Sequence, residues 1–228
     1  MIRRLLALTG TISVSILLIV ILLIVVGPAS AVTVWTDWTG ASAGAPGSAS
    51  GSVSGVGVSY SGELDNAVIN GSSPIWAPDS SFVGGTVTAS PSTVGDDLRL
   101  DGSFTGVNTI TFDSPVENPL FAIWSLGSPG IAASFTFDAT PTLQVGGPNS
   151  LFGGSSITVL GNVVSGNEGS GVVQFTGTVT SISWTNTFEN FYAFTVGVNG
   201  PVGTVAEPMS VTLLGSALAA LWFLRKRG

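Results

Sequence analysis

The chain has 228 residues, with six Lys and Arg against thirteen Asp and Glu, and it contains no His and no Cys. The lack of His and Cys excludes Ser-His-Asp and Cys-His catalysis, metal sites built from His or Cys, and disulfide bonds. Residues 32–205 hold twelve acidic residues and a single cation, Arg99, so this part carries a formal charge of −11. Such a surface repels nucleic acid, and we expect no nucleic-acid partner. Nothing in the composition indicates a cofactor.

The N-terminal residues have the three parts of a secretory signal peptide. A basic region at residues 3–4 precedes an apolar run at 16–26, and the small residues Ala29 and Ala31 follow it. We predict a signal peptide over residues 1–31, cut after Ala31 by signal peptidase. The alternative is a retained N-terminal membrane anchor, because the whole apolar segment is long enough to span a bilayer.

The middle of the chain alternates between apolar and polar residues with the period of a β-strand. For example, Leu98 and Leu100 flank Arg99, and no window of helical length shows a period of 3.6 residues. Gly, Pro and Asn turns separate the strand candidates. These candidates are residues 32–38, 56–60, 82–89, 98–101, 107–112, 121–126, 135–137, 157–164, 172–184 (with a break near Gly177) and 191–196.

Many short strands separated by turns predict an all-β domain over residues 32–196. We expect an antiparallel β-sandwich of jelly-roll type. Residues 40–55 are almost wholly Gly, Ala, Ser and Pro, and this low complexity predicts that part of the segment is a loop. Residues 197–205, rich in Gly and Pro, are predicted to form a linker.

Four acidic residues are candidates for glycosidase chemistry, which needs a pair of carboxyl groups. Glu63 and Asp65 are two residues apart and would project from the same face of a strand, while Glu168 and Glu189 are the other available glutamates. The alternative is that all four are ordinary solvated residues.

Calcium is a second use for the acidic residues. Asp96, Asp97 and Asp101 lie around the start of a predicted strand, and Ca²⁺ prefers hard oxygen ligands from loops. No EF-hand or nonapeptide pattern is present. These three are therefore only weak calcium candidates, and the alternative is that they keep a sparsely charged surface soluble.

One tryptophan is a candidate for stacking on a sugar ring. Trp76 lies between Pro74 and Pro78 on a predicted loop, so we expect it to be exposed. Trp124 and Trp184 are flanked by apolar strand positions and are predicted to lie in the core.

The C-terminal residues are predicted to form a short membrane helix. Residues 209–224 contain no charge and precede the basic residues Arg225, Lys226 and Arg227. The helix would be roughly 24 Å long, short for a hydrocarbon core of about 30 Å. By the positive-inside rule the basic tail stays cytoplasmic, so residues 32–205 face outward. The alternative is a buried core helix.

Residues 206–228 resemble the PEP-CTERM sorting signal, in which a Pro-Glu-Pro triplet precedes a membrane helix and a basic tail. Glu207 and Pro208 match the triplet, and Arg225, Lys226 and Arg227 match the tail, while Ala206 replaces the first proline. The resemblance implies processing by an exosortase, a membrane enzyme of Gram-negative bacteria that make exopolysaccharide.

The middle of the chain resembles secreted domains that precede such sorting signals, in the segments 109–116, 121–127 and 188–194. This second resemblance implies no activity. We therefore expect a non-enzymatic protein of the envelope or the extracellular polysaccharide matrix, anchored or processed through its tail, with exopolysaccharide as a further partner. The alternatives are a carbohydrate-binding module and a glycan hydrolase.

Overall fold

The computed structural model describes residues 31–72, 74–92 and 96–200. The predicted signal peptide up to residue 30, with Ala29, lies outside these residues. So do the sorting segment 206–228, with Glu207 and Pro208, the predicted helix 209–224 and the basic tail 225–227. Within the described ranges no helix is long and apolar enough to cross a membrane.

The prediction of an all-β domain is confirmed, because fifteen strands and one turn of 3₁₀-helix (Asp79–Ser81) account for the regular structure of the described residues. In chain order the strands are β1 (Val32–Trp35), β2 (Asp37–Ser42), β3 (Gly44–Val53), β4 (Val56–Leu64), β5 (Asn66–Val68), β6 (Asp97–Leu100), β7 (Asn108–Glu117), β8 (Leu120–Leu126), β9 (Ala133–Phe137), β10 (Thr142–Gly147), β11 (Thr158–Leu160), β12 (Val163–Gly166), β13 (Gly169–Gln174), β14 (Thr178–Asn186) and β15 (Tyr192–Gly200).

The described strands form two antiparallel sheets, and the predicted β-sandwich is confirmed. Sheet A has the order β10-β13-β8-β15-β6-β5, with β1 paired to the end of β15. Sheet B has the order β11-β12-β9-β14-β7-β4-β3-β2. Alternating apolar residues of both sheets meet between them, as the period of two requires.

Aromatic rings fill the space between the sheets. Phe121 and Phe194 of sheet A stack with their centroids 5.1 Å apart, and Phe121 meets Trp184 of sheet B edge to face at 5.0 Å. Phe135 and Phe137 of β9 complete the cluster around Phe121. Such contacts add to the free energy of burying the rings and fix how the two sheets pack.

A second, smaller core lies on the outer face of sheet A. Apolar residues of segment 74–92, among them Trp76 and Phe82, pack against the outward side chains of the sheet, among them Ala122 and Trp124. Strand β8 is therefore buried on both faces, which explains why every residue from Leu120 to Trp124 is apolar.

The two ends of the sandwich differ. One end, which we call the loop end, carries the long connections 101–107, 127–132, 148–157 and 187–191. The opposite end, the turn end, carries short connections such as the turns at 54–55 and 161–162, and the long connection 69–96 between β5 and β6 also starts and ends on this side. Val32 pairs with Gly200 at the turn end. Long loops on a rigid scaffold are where binding residues are usually found.

Several predictions about individual segments are wrong. Residues 40–55, part of which is predicted to be a loop, belong mostly to β2 and β3, which pair with each other through their main chains, so that only residue 43 and the turn at 54–55 lie outside strands. Residues 82–89 do not form a strand, because Gly84 and Val87 close a tight turn that packs on sheet A. Residues 197–200 of the predicted linker form the end of β15, paired with β1.

Two other segments refine or confirm their predictions. The candidate 157–164 is divided between β11 and β12, which form a hairpin around Gly161. The predicted break near Gly177 is confirmed, since β13 ends at Gln174 and β14 begins at Thr178. Gly177 has a φ of +97°, which favours glycine.

Candidate functional site

Glu63 is a buried carboxylate at the loop end, only 3% exposed. It lies near the end of β4, where the connection 101–107 passes over it. Its two carboxylate oxygens accept five hydrogen bonds, from the main-chain N–H groups of Gly102 (2.8 Å), Ser103 (2.8 Å) and Phe104 (3.1 Å), the Ser103 hydroxyl (3.0 Å) and Asn186 Nδ2 (2.8 Å). A carboxylate with this many donors has few lone pairs left for a ligand.

A polar network holds the main chain of Glu63 in position. The Tyr60 hydroxyl hydrogen-bonds to the main-chain oxygen of Glu63 and to Asn108 Oδ1, which also accepts from the Glu63 N–H at 2.8 Å. Asn108 Nδ2 donates to Asn186 Oδ1 at 2.8 Å. Each member holds the next in position, so the network fixes β4 against β7 and β14.

The predicted pairing of Glu63 with Asp65 on one strand face is wrong. β4 ends at Leu64, and Asp65 is exposed beyond it while Glu63 is buried. Both line an open cleft of about 410 Å³ together with Asp101. A hydrogen bond with Glu63, and to a lesser extent with Ser103, holds the pKa of Asp101 below its ordinary value against the effect of burial.

A second group of acidic residues lies beside Trp124 at the loop end. Glu168, in the turn between β12 and β13, accepts a hydrogen bond from the Ser125 hydroxyl. Ser125 and Glu168 both have a φ of +57°, in the left-handed region that non-glycine residues rarely adopt. Such strained residues cluster at functional sites. The register of β13 on β8 shifts at this point, between Gly169 and Gly171.

Glu189 lies close to Glu168. It is 3% exposed, and burial raises the pKa of its carboxyl group, an effect that the negative charge of Glu168 increases and that the main-chain N–H groups of Phe191 and Asn190 oppose. The Phe191 N–H donates to Glu189 Oε2 at 3.3 Å. The structure therefore brings together two glutamates that are far apart in sequence.

Aromatic rings border the two glutamates. Trp124 contacts Phe191 edge to face at 5.4 Å and Phe152 at 5.6 Å. Arg99 lies over the Phe191 ring, 5.2 Å from its centroid. Phe152 is 58% exposed, at the tip of connection 148–157. We call Ser125, Glu168 and Glu189, with the bordering Trp124, Asn149 and Phe152, the Glu168–Glu189 site.

Two donors of this site have no hydrogen-bond partner among the described residues. Trp124 Nε1 is one, and Asn149 Nδ2 is the other, although both side chains are almost fully buried. Among the described residues, Trp76 Nε1 and Trp184 Nε1 in the two cores are in the same state. Asn149 Oδ1 accepts from the N–H groups of Leu151 and Phe152 (3.0 and 2.7 Å), so this amide shapes the tip that carries Phe152. A buried donor without a partner is costly, and each one needs an explanation.

The three calcium candidates are not brought together. Asp96 accepts from the N–H groups of Trp38 and Asn70, Asp97 forms a salt bridge with Arg99, and Asp101 lies in the Glu63 cleft. Asp97 is fully buried because β6 is covered on its outer face, so the expectation of a solvated residue is wrong for it. No group of three potential metal-ligating side chains occurs among the residues that the structure describes.

The expectation that Trp76 is exposed is wrong. Trp76 is 0% exposed, because segment 74–92 folds onto the outer face of sheet A and buries the indole against Phe82 at 5.4 Å. A sugar ring therefore has no surface of Trp76 on which to stack. The prediction that Trp124 and Trp184 are core residues is confirmed.

The aromatic residue that does lie at the surface near the acids, Phe152, was missed by the sequence reasoning, as were Ser125 and Asn149. The only signal for Asn149 and Phe152 in the sequence is the Gly-rich, Asn-containing segment 146–154, which predicts a turn but not its position. Ser125 lies in the predicted strand 121–126 and has no such signal. The chain matches no family model, no curated protein and no solved structure. Its function has to be argued from its own geometry.

Proposed function

We propose that this protein is exported and displayed as a non-enzymatic component of the cell envelope or the extracellular polysaccharide matrix. The observation that carries the proposal is the pairing of Val32 with Gly200 at the turn end. The proposed signal peptide and the proposed sorting segment both connect there. The loop end, with its long connections, then points away from the attachment and is free to contact the matrix.

The domain between these segments is proposed to be a sandwich of jelly-roll type. Support comes from the path of the chain, since consecutive strands from β7 to β10 alternate between sheet B and sheet A. Alternation of this kind is typical of jelly rolls. A single compact domain with its own core suits a role as a displayed module.

Delivery is proposed to use both ends of the chain. Signal peptidase would cut after Ala31, and an exosortase-like enzyme would recognise Glu207 and Pro208 before the helix 209–224. The basic tail 225–227 would hold the protein in the inner membrane until processing, by the positive-inside rule. The mature protein would then reside in the outer envelope or the matrix.

A role without catalysis at the Glu63 cleft is supported by the hydrogen bonds that Glu63 already accepts. Glu63, the buried carboxylate of the cleft that it lines with Asp65 and Asp101, accepts five hydrogen bonds from the protein itself. A general acid or a nucleophile needs a free oxygen directed at the substrate. Glycan hydrolysis is the alternative, and turnover abolished by substituting one glutamate would establish it.

The mass of the mature protein from cells tests the proposal at both ends. We expect a chain that begins at Val32 and lacks the C-terminal segment. The double variant Glu207→Ala, Pro208→Ala should still be secreted across the inner membrane but should accumulate there at full C-terminal length. Equal mature masses in variant and parent would leave only a plain membrane anchor, and a chain that starts at Met1 would exclude the signal peptide.

A further inference from the structure

We propose that the Glu168–Glu189 site binds an uncharged glycan through hydroxyl groups that both donate and accept hydrogen bonds. This inference rests on the proposed contact with extracellular polysaccharide, but not on how the tail is processed. Four observations carry it: a carboxylate pair with few donors, buried donors without acceptors, exposed rings beside them, and the position of the site at the loop end.

The site has hydrogen-bonding capacity of both kinds to spare. Among the residues that the structure describes, three groups donate to the two carboxylates: the Ser125 hydroxyl and the main-chain N–H groups of Asn190 and Phe191. A carboxylate offers about four lone-pair positions, so several positions are left over. Trp124 Nε1 and Asn149 Nδ2, in contrast, are donors without acceptors among the described residues.

This combination selects among classes of ligand. A metal cation would satisfy the carboxylates but would gain nothing from the two N–H donors. An anion would accept from those donors but would be repelled by Glu168 and Glu189. A sugar hydroxyl donates through its hydrogen and accepts through its oxygen. An uncharged polyhydroxyl ligand is therefore the class that can use both sets of groups.

Exposed aromatic rings at the loop end can pack on the apolar C–H face of a sugar ring. Phe152 and Phe188 are 58% and 59% exposed, and Leu151 is exposed beside Phe152. The C–H groups on one face of a pyranose pack on an aromatic ring, while its hydroxyl groups point to the sides. Phe152 lies against Trp124, so a sugar seated on Phe152 is close to the spare donors and acceptors of the site.

Neighbouring charges also favour an uncharged polymer. Arg99, the cation nearest to the site among the described residues, forms a salt bridge with Asp97 and lies over Phe191. It is therefore not free to bind an acidic sugar. Because the rest of the domain is acidic as well, the local field opposes polyanions at any distance within the Debye length.

Binding should be measured with the mature protein purified from the cells that make it. The probes are the uncharged oligosaccharides cellohexaose, maltohexaose and mannohexaose, with hexagalacturonate as the anionic control and a chitosan hexamer as the cationic control. Calorimetry gives the affinity, and the summed fluorescence of the five tryptophans of residues 32–205, Trp124 among them, is a second signal of binding. We expect at least one uncharged oligosaccharide to bind and hexagalacturonate not to bind.

Variants locate the binding site. Glu189→Gln and Phe152→Ala should each weaken binding about tenfold, the first by removing a charge-assisted acceptor and the second by removing the stacking surface. Glu117→Gln and Leu160→Ala are the matched controls, because they make the same kinds of change on exposed residues away from the loop end. Neither control should alter the affinity.

Each outcome decides the proposal. Binding of only the chitosan hexamer would show that the carboxylates act through charge and would overturn the assignment to uncharged glycans. No binding of any probe, or unchanged binding in both Glu189→Gln and Phe152→Ala, would overturn the site. Failed binding with a normal mature mass leaves the proposed export intact. Normal binding with an unprocessed chain would remove the proposed processing and leave the site.

Discussion

Glu63 and Glu189 are buried to the same degree at the same end of the sandwich, each 3% exposed, yet their surroundings differ. Glu63 accepts five hydrogen bonds from the 101–107 connection and Asn186. Glu189 accepts only from two adjacent main-chain N–H groups and faces the charge of Glu168. Burial alone therefore does not reveal the role of a carboxylate. The number of hydrogen bonds that it accepts from the protein distinguishes the two residues.

The difference follows from the backbone around each residue. Residues 102–104 turn three successive N–H groups toward Glu63, and Gly102 permits this with a φ of +80°. Glu189 lies in the connection before β15, where Phe191 already begins to pack on Trp124. A carboxylate held by a loop in this way stabilises the fold, whereas one with spare lone pairs can bind a ligand.

The largest effect is expected for Glu63→Gln. Each carboxylate oxygen accepts from at least two donors, so the amide nitrogen of glutamine must face donors in either orientation. Two buried groups lose their acceptor, and we expect a loss of about 2–5 kcal/mol in the free energy of unfolding. Urea denaturation measures it. Glu117→Gln is the control, with a change within about 0.5 kcal/mol, and a loss of similar size in both variants would contradict the structural role of Glu63.

A smaller loss of stability is expected in the polar network around the Glu63 main chain. Tyr60→Phe removes the hydroxyl that hydrogen-bonds to the Glu63 carbonyl and to Asn108, without changing the packing of the ring. We expect a loss of about 1–2 kcal/mol. Tyr192→Phe is the comparison on β15, because the Tyr192 hydroxyl accepts a hydrogen bond from Asn186 Nδ2, which also donates to Glu63, and donates a long one of 3.3 Å to Thr187. If Tyr192→Phe costs more than Tyr60→Phe, the network is centred on β15 and not on Glu63.

The two regions should respond to pH with opposite signs. The pKa of Asp101 is lowered in the folded state, so its contribution to stability is present above the ordinary aspartate pKa of about 3.9 and is lost as the pH falls through the lowered value. The pKa of Glu189 is raised, so the folded state holds its proton more tightly. Stability therefore falls as the pH rises from the ordinary glutamate pKa of about 4.3 through the raised value.

Variants isolate these two contributions. The free energy of unfolding of the parent minus that of Asp101→Asn should increase with pH in the acidic range. The parent minus Glu189→Gln should decrease as the pH rises above about 4.3. Urea denaturation from about pH 3 to about pH 7 covers both windows. Two slopes of the same sign would mean that the two carboxylates have equivalent surroundings.

Sequence patterns predicted the regular part of this fold well where side chains alternate. The strand 191–196 is an example, because Tyr192, Phe194 and Val196 all face the core between the sheets. The failures have a physical reason. β3 is built from Gly, Ala and Ser, whose side chains give no alternation, and it is held by the main-chain ladders to β2 and β4.

The candidate site was harder to predict than the strands. Glu63 and Asp65 looked like a pair because they are close in sequence, but the end of β4 separates them. Glu168 and Glu189 come together only because β13 and β15 both pair with β8. Trp76 was assigned to an exposed loop because two prolines surround it, and no local pattern could show that the segment folds onto sheet A.

The smallest effect on stability is expected for Phe152→Ala, at the tip of connection 148–157, in contrast to the large effect expected at Glu63. Phe152 is more than half exposed, so Phe152→Ala should change the free energy of unfolding by only about 0.5 kcal/mol. Leu160→Ala, at a residue 85% exposed on β11, is the control for truncating a surface apolar side chain. Because the Phe152 ring lies 5.6 Å from that of Trp124, the tryptophan emission should change in Phe152→Ala but not in Leu160→Ala. A loss above about 2 kcal/mol in Phe152→Ala alone would place the tip in the structural core, and the donors beneath it would then have to be explained by folding rather than by a ligand.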